Sequence, residues 1–362
     1  MRKAKLTKLK RVRSESRYKE KERLNMFFNK ESAITKQIDL TAKNVVARDD
    51  CLHISYGIDR NFLYGCGISI ASLLKNNEDI SFCFHVFTDY FDSEQEALFR
   101  ELAEQYKTSI KIYLVDCEQL KSLPSTKNWS YATYFRFIIA DYFSEQLERI
   151  IYMDADIMCQ GSLSDLLHIE FKENQVVAAV PERDSDWWKK RADALGIPSI
   201  ANGYFNAGFL ILNLVSWKEN DISLKAMNLL SQDEVKAKIS YLDQDILNML
   251  LTGKIVYLDQ KYNTQYSINY ELQDGRKENP ITSSTILIHY IGPTKPWHEW
   301  ANYPTAKPFL DAKNASPWKN IPLLKAKSSN HLRYCAKHSF KQKLYWLGIK
   351  SQAQYFLAKI TK

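Results

Sequence analysis

From about residue 51 the chain alternates apolar runs of strand length with stretches of helix length. Leu52–Tyr56 is a short apolar run, and Leu63–Lys75 after it is long enough for a helix. Phe82–Phe87 predicts a second strand, Ser93–Tyr106 a helix with a polar face, and Ile110–Val115 a third strand. Tyr131–Phe143 predicts an aromatic-rich helix, and Arg149–Met153 a strand that runs straight into Asp154. Val176–Val180, Phe209–Leu214, Ile255–Leu258 and Ile286–Ile291 are further apolar runs, and Asp243–Leu251 reads as a helix. Strands alternating with helices indicate an α/β fold, a mostly parallel sheet covered by helices. There is no internal repeat. After residue 300 the texture changes to Pro- and Trp-rich loops. The last forty residues are basic and helical in pattern, with Tyr345, Trp346, Tyr355 and Phe356 interleaved with Lys. That pattern fits a helix lying in a membrane interface, and equally a helix docked on the main domain with a solvated charged face.

Composition narrows the class. The 362 residues are 45% hydrophobic and 25% charged, the balance of a soluble globular protein. With 46 aromatic residues but only 11 Gly and 10 Pro, wholly disordered and collagen-like chains are excluded. No window approaches the ~18 uninterrupted apolar residues of a spanning helix. The net charge of +8 is unevenly placed: residues 1–26 carry +8 and residues 325–362 carry +9, leaving −9 between them. An acidic body argues against a nucleic-acid groove, and no nucleic-acid partner is expected. Basic ends suit contact with an anionic surface. Three segments follow: a basic and partly disordered arm over 1–50, a main domain over 51–300 and a basic region over 301–362. Residues 1–26 have no apolar periodicity, and Met26 is an alternative start. The six cysteines show no C-x-x-C, so buried free thiols in a reducing compartment are expected. The basic stretch runs on through Lys21 and Arg23 without the apolar run of a secretory signal, which places the protein in the cytosol.

The sharpest local feature is Arg149-Ile-Ile-Tyr-Met-Asp-Ala-Asp-Ile157. An apolar strand delivers Asp154 and Asp156 to the end where a parallel sheet binds ligands. Residues i and i+2 of an extended chain face the same way, so both carboxylates can address one cation. Two carboxylates suit Mg²⁺ or Mn²⁺, which take further ligands from phosphates and water. In Ile288-His289-Tyr-Ile-Gly292-Pro-Thr-Lys295-Pro-Trp297, His289 ends an apolar strand and could ligate a metal. Gly292 would let the backbone approach a ligand, and Lys295 could reach phosphate oxygens. The plainer reading is a core histidine and a surface lysine in a Gly-Pro turn. Tyr204-Phe-Asn206-Ala-Gly208 precedes a strand, and Asn206 could be a turn residue. Asp243-Gln244-Asp245 opens a helix, where an Asp is most often a cap. Arg136, on an aromatic helix, needs an acid or phosphate partner if it faces the core.

In this order the blocks resemble the family 8 glycosyltransferases. The matching string is Tyr56-Gly-Ile-Asp59-Arg-Asn61, Tyr134-Phe-Arg136, Asp154-Ala-Asp156, Phe205-Asn206-Ala-Gly208, Asp243-Gln244-Asp245 and His289 through Trp297. Segments 126–130, 261–265 and 334–338 resemble the bacterial lipopolysaccharide core α-1,3-galactosyl- and glucosyltransferases. The resemblance implies the GT-A nucleotide-sugar-binding fold, a UDP-hexose donor, a lipopolysaccharide outer-core acceptor, retention of anomeric configuration and Mn²⁺ or Mg²⁺. Carried over by position, it implies that Asp59 and Asn61 hold the uridine. Asp154, Asp156 and His289 would bind the cation, Gly292 and Lys295 the phosphates. Arg136, Asp154, Asn206, Asp243 and Gln244 would line the donor hexose, with Asp243 and Gln244 nearest the reaction. An amide is a poor nucleophile, so Gln244 favours same-face attack over double displacement. The resemblance also implies action at the cytoplasmic face of the inner membrane, with peripheral contact through the basic C-terminus.

Three other readings are weaker. An aspartate-nucleophile phosphatase wants Thr or Val where Met158 stands. A sugar-nucleotide pyrophosphorylase wants a Gly-rich loop where Tyr56-Gly-Ile-Asp-Arg lies. A non-catalytic membrane- or RNA-binding module explains the basic ends but not the ordered motifs of the acidic body. Within the same pathway, an α-1,2-glucosyltransferase is the alternative, and galactose is not separated from glucose by any motif.

Overall fold

A computed structural model describes residues 33–45, 51–125, 130–273 and 279–360. Of the arm expected over 1–50, residues 1–32 and 46–50 lie outside them, as does all but Ser130 of the 126–130 segment.

The alternation in the sequence becomes one eight-stranded sheet in the order β1-β4-β3-β2-β5-β8-β7-β9. The strands are β1 (Ile34–Asp39), β2 (Leu52–Ile58), β3 (Phe82–Thr88), β4 (Ser109–Val115), β5 (Arg149–Met153), β7 (Val177–Pro181), β8 (Phe205–Asn213) and β9 (Ile255–Tyr257). Short strands β10 (Thr264–Gln265), β11 (Leu287–His289) and β6 (Ile157–Cys159) form a second, three-stranded sheet. Strands β4, β3, β2 and β5 run parallel, with helices Leu63–Asn76 and Ser93–Tyr106 as crossovers. The chain builds outward from β2 through β3 to β4, then returns along helix Phe135–Phe143 to place β5 on the other flank of β2. The order therefore reverses between β2 and β5, and ligands of such sheets bind beyond the carboxyl ends of the strands at that point. β8 enters antiparallel to both β5 and β7, which turns its amino end toward that same edge.

Both faces of the sheet are buried, one beneath helix Leu63–Asn76 and the other beneath helix Phe135–Phe143. This is why the central strands read as unbroken apolar runs instead of alternating. Helix Leu63–Asn76 is itself covered on its outer side by the segment after residue 296. Cβ atoms at Gly65 and Gly67 would lie 2.5 and 2.3 Å from the rings of Trp297 and Trp318. The helix tolerates two interior glycines because they let two indoles lie on its backbone, which offsets their cost of about 1 kcal/mol each.

The structure departs from expectation in three places. Ile34–Asp39, inside the segment assigned to the arm, pairs antiparallel with β4 and closes one edge of the sheet. Its alternation is too weak to show at an edge, where most of its side chains stay accessible. Tyr204-Phe-Asn206-Ala-Gly208 does not precede a strand: β8 begins at Phe205, so Asn206 and Gly208 are strand residues and not a turn. Free thiols are found at Cys66, Cys117, Cys159 and Cys335, all buried, whereas Cys51 and Cys83 are joined as a disulfide. Parallel β2 and β3 bring those two Cα atoms to 6.2 Å, a proximity that spacing along the chain cannot reveal.

At the other end, helices Ser329–Lys341 and Tyr345–Ile360 pack on one another. The second leaves Tyr345, Trp346, Ile349, Phe356, Leu357 and Ile360 exposed, with Trp346 at 82%. No helix among the described residues is long and apolar enough to cross a membrane.

Candidate active site

Asp154 and Asp156 emerge from β5 at the reversal point, and β6 follows at once. The backbone N–H of Asp154 donates to the carbonyl of Gly208 on β8 at 2.8 Å. β11 pairs with β6 in the register His289↔Ile157, which carries the imidazole to the same spot. His289 Nε2 lies 3.3 Å from Asp156 Oδ1 and 3.8 Å from Asp154 Oδ2. Ligand atoms of Asp154, Asp156 and His289 all lie within 4.8 Å of one another. His289 and Asp156 are buried, and Asp154 is the accessible member.

Three observations test whether this trio fits a hard divalent cation. Asp156 Oδ1 is buried and accepts no hydrogen bond, a costly state unless a further group meets it. His289 Nδ1 faces Asn263 Oδ1 at 3.0 Å, so an Nδ1–H donating there leaves the Nε2 lone pair turned to the carboxylates. Gly208 leaves open the space between them: a Cβ there would lie 2.4 Å from His289 Cε1 and 2.8 Å from Asp154 Oδ2. The residues fit the cation that the sequence pattern implies.

Burial would raise the Asp156 carboxyl, but the Lys295 ammonium, and after it His289, outweigh burial and hold it ionised well below the usual range. Lys295 Nζ donates to Asp156 Oδ2 and, at 2.9 Å, to the carbonyl of Tyr290. Burial depresses His289 while Asp156 outweighs it and raises the imidazole above its ordinary value, so a proton and a cation compete for Nε2.

Arg136 is buried, as its place on an aromatic helix suggested, and it has acid partners. Its Nε is 2.9 Å from Asp243 Oδ2, its Nη2 is 3.6 Å from Asp154 Oδ1, and its Nη1 donates to the carbonyl of Ala207 at 2.5 Å. The guanidinium lies 4.3 Å over the ring of Tyr152, whose hydroxyl donates to Asp154 Oδ1 at 3.0 Å. Arg136 thus joins Asp243 to Asp154. Burial pushes the Asp243 carboxyl up to about 6, with Arg136 and Thr133 opposing the rise.

Gln244 is held from its oxygen. Oε1 accepts from Ala207 N at 3.0 Å and from Asn206 Nδ2 at 3.2 Å. Neither acid is the helix cap expected from the sequence: Tyr241 holds that position without a side-chain cap. Asp245, one turn inside, has an Oδ2 that accepts from Ser240 N and Tyr241 N at 2.7 and 2.8 Å and from Arg191 at 2.7 Å. Asn206 is fully engaged, donating to Glu182 at 2.7 Å and accepting from Asn263 Nδ2 and Gly208 N at 2.8 and 2.9 Å. A chain of amides therefore runs from half-buried Gln244 through buried Asn206 and Asn263 to His289.

Asp59 lies just beyond the carboxyl end of β2, beside β5. Its Oδ1 accepts from Asn61 N at 2.8 Å, and its Oδ2 accepts from Ser130 Oγ at 2.9 Å. Gly292 turns with φ +85°, and a Cβ there would meet Ser267 Oγ at 2.9 Å. The structure thus gathers Arg136, Asp154, Asp156, Asn206, Asp243, Gln244, His289 and Lys295 into one connected cluster. Asp59 and Asn61 stand at the neighbouring strand end, and Gly292 in the turn before Lys295. Sequence reasoning missed Glu182, Asn263 and Tyr152. Glu182 had a signal, since the apolar run Val176–Val180 leads into it as β5 leads into Asp154. Asn263 lies in a segment singled out without a role, and Tyr152 looks like any core tyrosine.

A reversed parallel sheet with paired carboxylates at its switch point and an antiparallel strand beside them defines an α/β protein with a crevice suited to a cation and an anionic ligand. The glycosyl transferase family 8 model matches residues 53–301, and the model of that family's C-terminal region matches residues 303–359. The chain belongs to glycosyl transferase family 8. It is 51% identical to the lipopolysaccharide glucosyltransferase WaaO of Escherichia coli K12, over 92% of this chain and 98% of that one. It is 52% identical to the lipopolysaccharide 1,3-galactosyltransferase of Salmonella typhimurium LT2, over 86% and 92%. Among solved structures, the galactosyltransferase LgtC, in complex with donor and acceptor sugar analogs, has a TM-score of 0.63 and 23% identity, covering 73% of this chain and 96% of that one. That likeness shows the fold, which is GT-A as expected.

Proposed function

We propose that this glycosyltransferase moves a hexose, galactose or glucose, from its UDP conjugate to the outer core of lipopolysaccharide, forming an α-1,3 linkage with retention. The observation that carries the proposal is the Asp154–Asp156–His289 cradle at the switch point. Relatives named for 1,3-galactosyl and glucosyl transfer match at 51–52% identity, against 39% for an Escherichia coli lipopolysaccharide 1,2-glucosyltransferase, which favours the 1,3 reading.

Asp154, Asp156 and His289 would hold Mn²⁺ or Mg²⁺, which when bound neutralises charge developing on the diphosphate. Lys295 is placed to exchange its bond to Asp156 for a phosphate oxygen, with the Gly292 turn admitting the backbone. Asp59 and Asn61 would bind uridine at the end of β2. Arg136 and Asp243 keep Asp154 turned to the crevice, and Asn206 fixes Gln244. The Gln244 oxygen is committed to Ala207 and Asn206, which argues against its acting as a nucleophile. The residues support same-face attack, in which the acceptor hydroxyl bonds to the anomeric carbon as the bond to UDP breaks, its proton passing to the leaving phosphate oxygen. Gln244→Ala is expected to lower kcat by about 30-fold or more with KM for the donor little changed; an unchanged kcat removes Gln244 from the reaction.

The primary test compares UDP release from UDP-galactose and UDP-glucose on a truncated lipopolysaccharide acceptor with Mn²⁺. Acceptor-dependent release from one donor, lost in EDTA, is expected. Release that persists in EDTA would refute the metal site, and none from either donor would refute the substrate assignment.

We also propose peripheral attachment at the cytoplasmic face of the inner membrane through the exposed aromatic and aliphatic side chains of helix Tyr345–Ile360 and its flanking lysines. One such helix binds modestly and reversibly. In a flotation assay the protein is expected to follow anionic but not zwitterionic vesicles, and Trp346→Glu to reduce the bound fraction severalfold. Equal flotation with both vesicles, or no effect of the substitution, would refute it.

A further inference from the structure

We propose that Cys51, His53 and Cys83 form a second metal site, which when the two sulfurs are reduced takes a soft divalent cation of the zinc class. The sequence holds C-x-H twice, as Cys51-Leu-His53 and Cys83-Phe-His85. The second copy lies on β3 and the first runs from the residue before β2 into that neighbouring parallel strand, in the register His53↔Cys83 and Ser55↔His85. Positions i and i+2 of a strand share a face, so the strands present two sulfurs and two imidazoles to one patch. Ligand atoms of Cys51, His53 and Cys83 all lie within 4.8 Å of one another, and all three residues are half-buried. Two thiolates and an imidazole are a donor set for zinc, with a fourth position left to water.

The surroundings of His53 support a ligating role. Its Nδ1 lies 2.9 Å from His85 Nε2, and His85 Nδ1 lies 3.1 Å from the hydroxyl of Tyr113. A relay in which each imidazole uses its Nδ1–H inward leaves the Nε2 lone pair of His53 unspent, the arrangement that orients metal-bound histidines. His85 is therefore a positioning residue, buried and bonded edge to edge with the His53 ring, the two planes within 15° of each other and their centroids 5.3 Å apart. The patch sits at the amino end of β2, and Asp59 follows the carboxyl end of that strand, so the two sites are separate. In the structure the sulfurs are bonded to each other. A reducing compartment keeps such a pair as thiols, and each loses a proton when it ligates.

The test uses the full chain in a phosphine reductant, with Co²⁺ as the probe. One equivalent is expected to produce thiolate-to-cobalt charge-transfer absorption with the visible bands of a tetrahedral site, and Zn²⁺ to bleach it. Cys51→Ser and Cys83→Ser are expected to lose the charge-transfer band. His53→Ala is expected to weaken Co²⁺ binding by about tenfold or more. Asp156→Asn should keep the band, since carboxylates and imidazole give none. Far-ultraviolet circular dichroism on the metal-free variants verifies that they fold. Absence of the band in the reduced wild type would overturn the proposal. A band surviving both serine substitutions, or arising equally in the disulfide form, would overturn it too.

Discussion

Asp156→Asn is expected to lower kcat/KM by about 1,000-fold or more, with loss of Mn²⁺ binding. The carboxylate is buried, carries an oxygen that accepts no hydrogen bond, and faces both His289 and Lys295. Replacing it with an amide removes the negative charge that binds the cation and leaves the Lys295 ammonium, only 13% exposed, beside a neutral group. Removing one partner of a buried pair is destabilising, whereas replacing both can be neutral. Asp156→Asn should therefore also melt earlier, and Asp156→Asn with Lys295→Met should regain the stability but not the activity. Isothermal titration with Mn²⁺, thermal melts and UDP release distinguish these effects. A double variant that regained activity would show that Asp156 serves only to neutralise Lys295.

Gly208→Ala is expected to cost about 100-fold or more in kcat/KM while the chain still folds. The added methyl would stand 2.4 Å from His289 Cε1, 2.8 Å from Asp154 Oδ2 and 3.0 Å from Asn206 Oδ1, all of them side-chain atoms of the site. Gly208 sits within β8 with ordinary strand neighbours, so backbone freedom is not what selects glycine here. The methyl would push imidazole and carboxylate apart, and small misplacements in a pre-organised site are expensive in rate. Overpacking of this kind costs about 1–3 kcal/mol of stability. Mn²⁺ affinity should fall with activity while the circular dichroism spectrum is unchanged. Wild-type activity in Gly208→Ala would mean that the trio does not need its observed geometry.

Much of this site was legible because strand ends announce themselves. The run Ile150–Met153 breaking into Asp154 marks a carboxyl terminus of a buried strand, and in a parallel sheet that is where ligands bind. Asp154, Asp156 and His289 stand at such ends, and Arg136 shows by the oddity of a charge on an apolar helix. Lys295, six residues past β11, came from the family resemblance and reads by itself as a surface lysine. Asn263 and Glu182 were not, because a buried amide or acid whose partners are distant in sequence looks like any polar residue between apolar ones. Glu182 ends a strand too, but the register that brings it to Asn206, and thence to Gln244, exists only after β7 and β8 pair. The same holds for Cys51 and Cys83, thirty-two residues apart yet adjacent across β2 and β3.

Local pattern determined the elements, their alternation and hence the fold class, since hydrophobic periodicity and strand-length runs are properties of a few consecutive residues. It also determined the carboxylate pair, because i and i+2 on one strand need no tertiary information. Only the tertiary structure decided that β1 completes the sheet, that β8 runs antiparallel beside β5, and that Gly208 makes room for His289 and Asp154. Those facts depend on which strands become neighbours and in what register. Register is set by the sum of many weak contacts across the whole core and by no single stretch of chain.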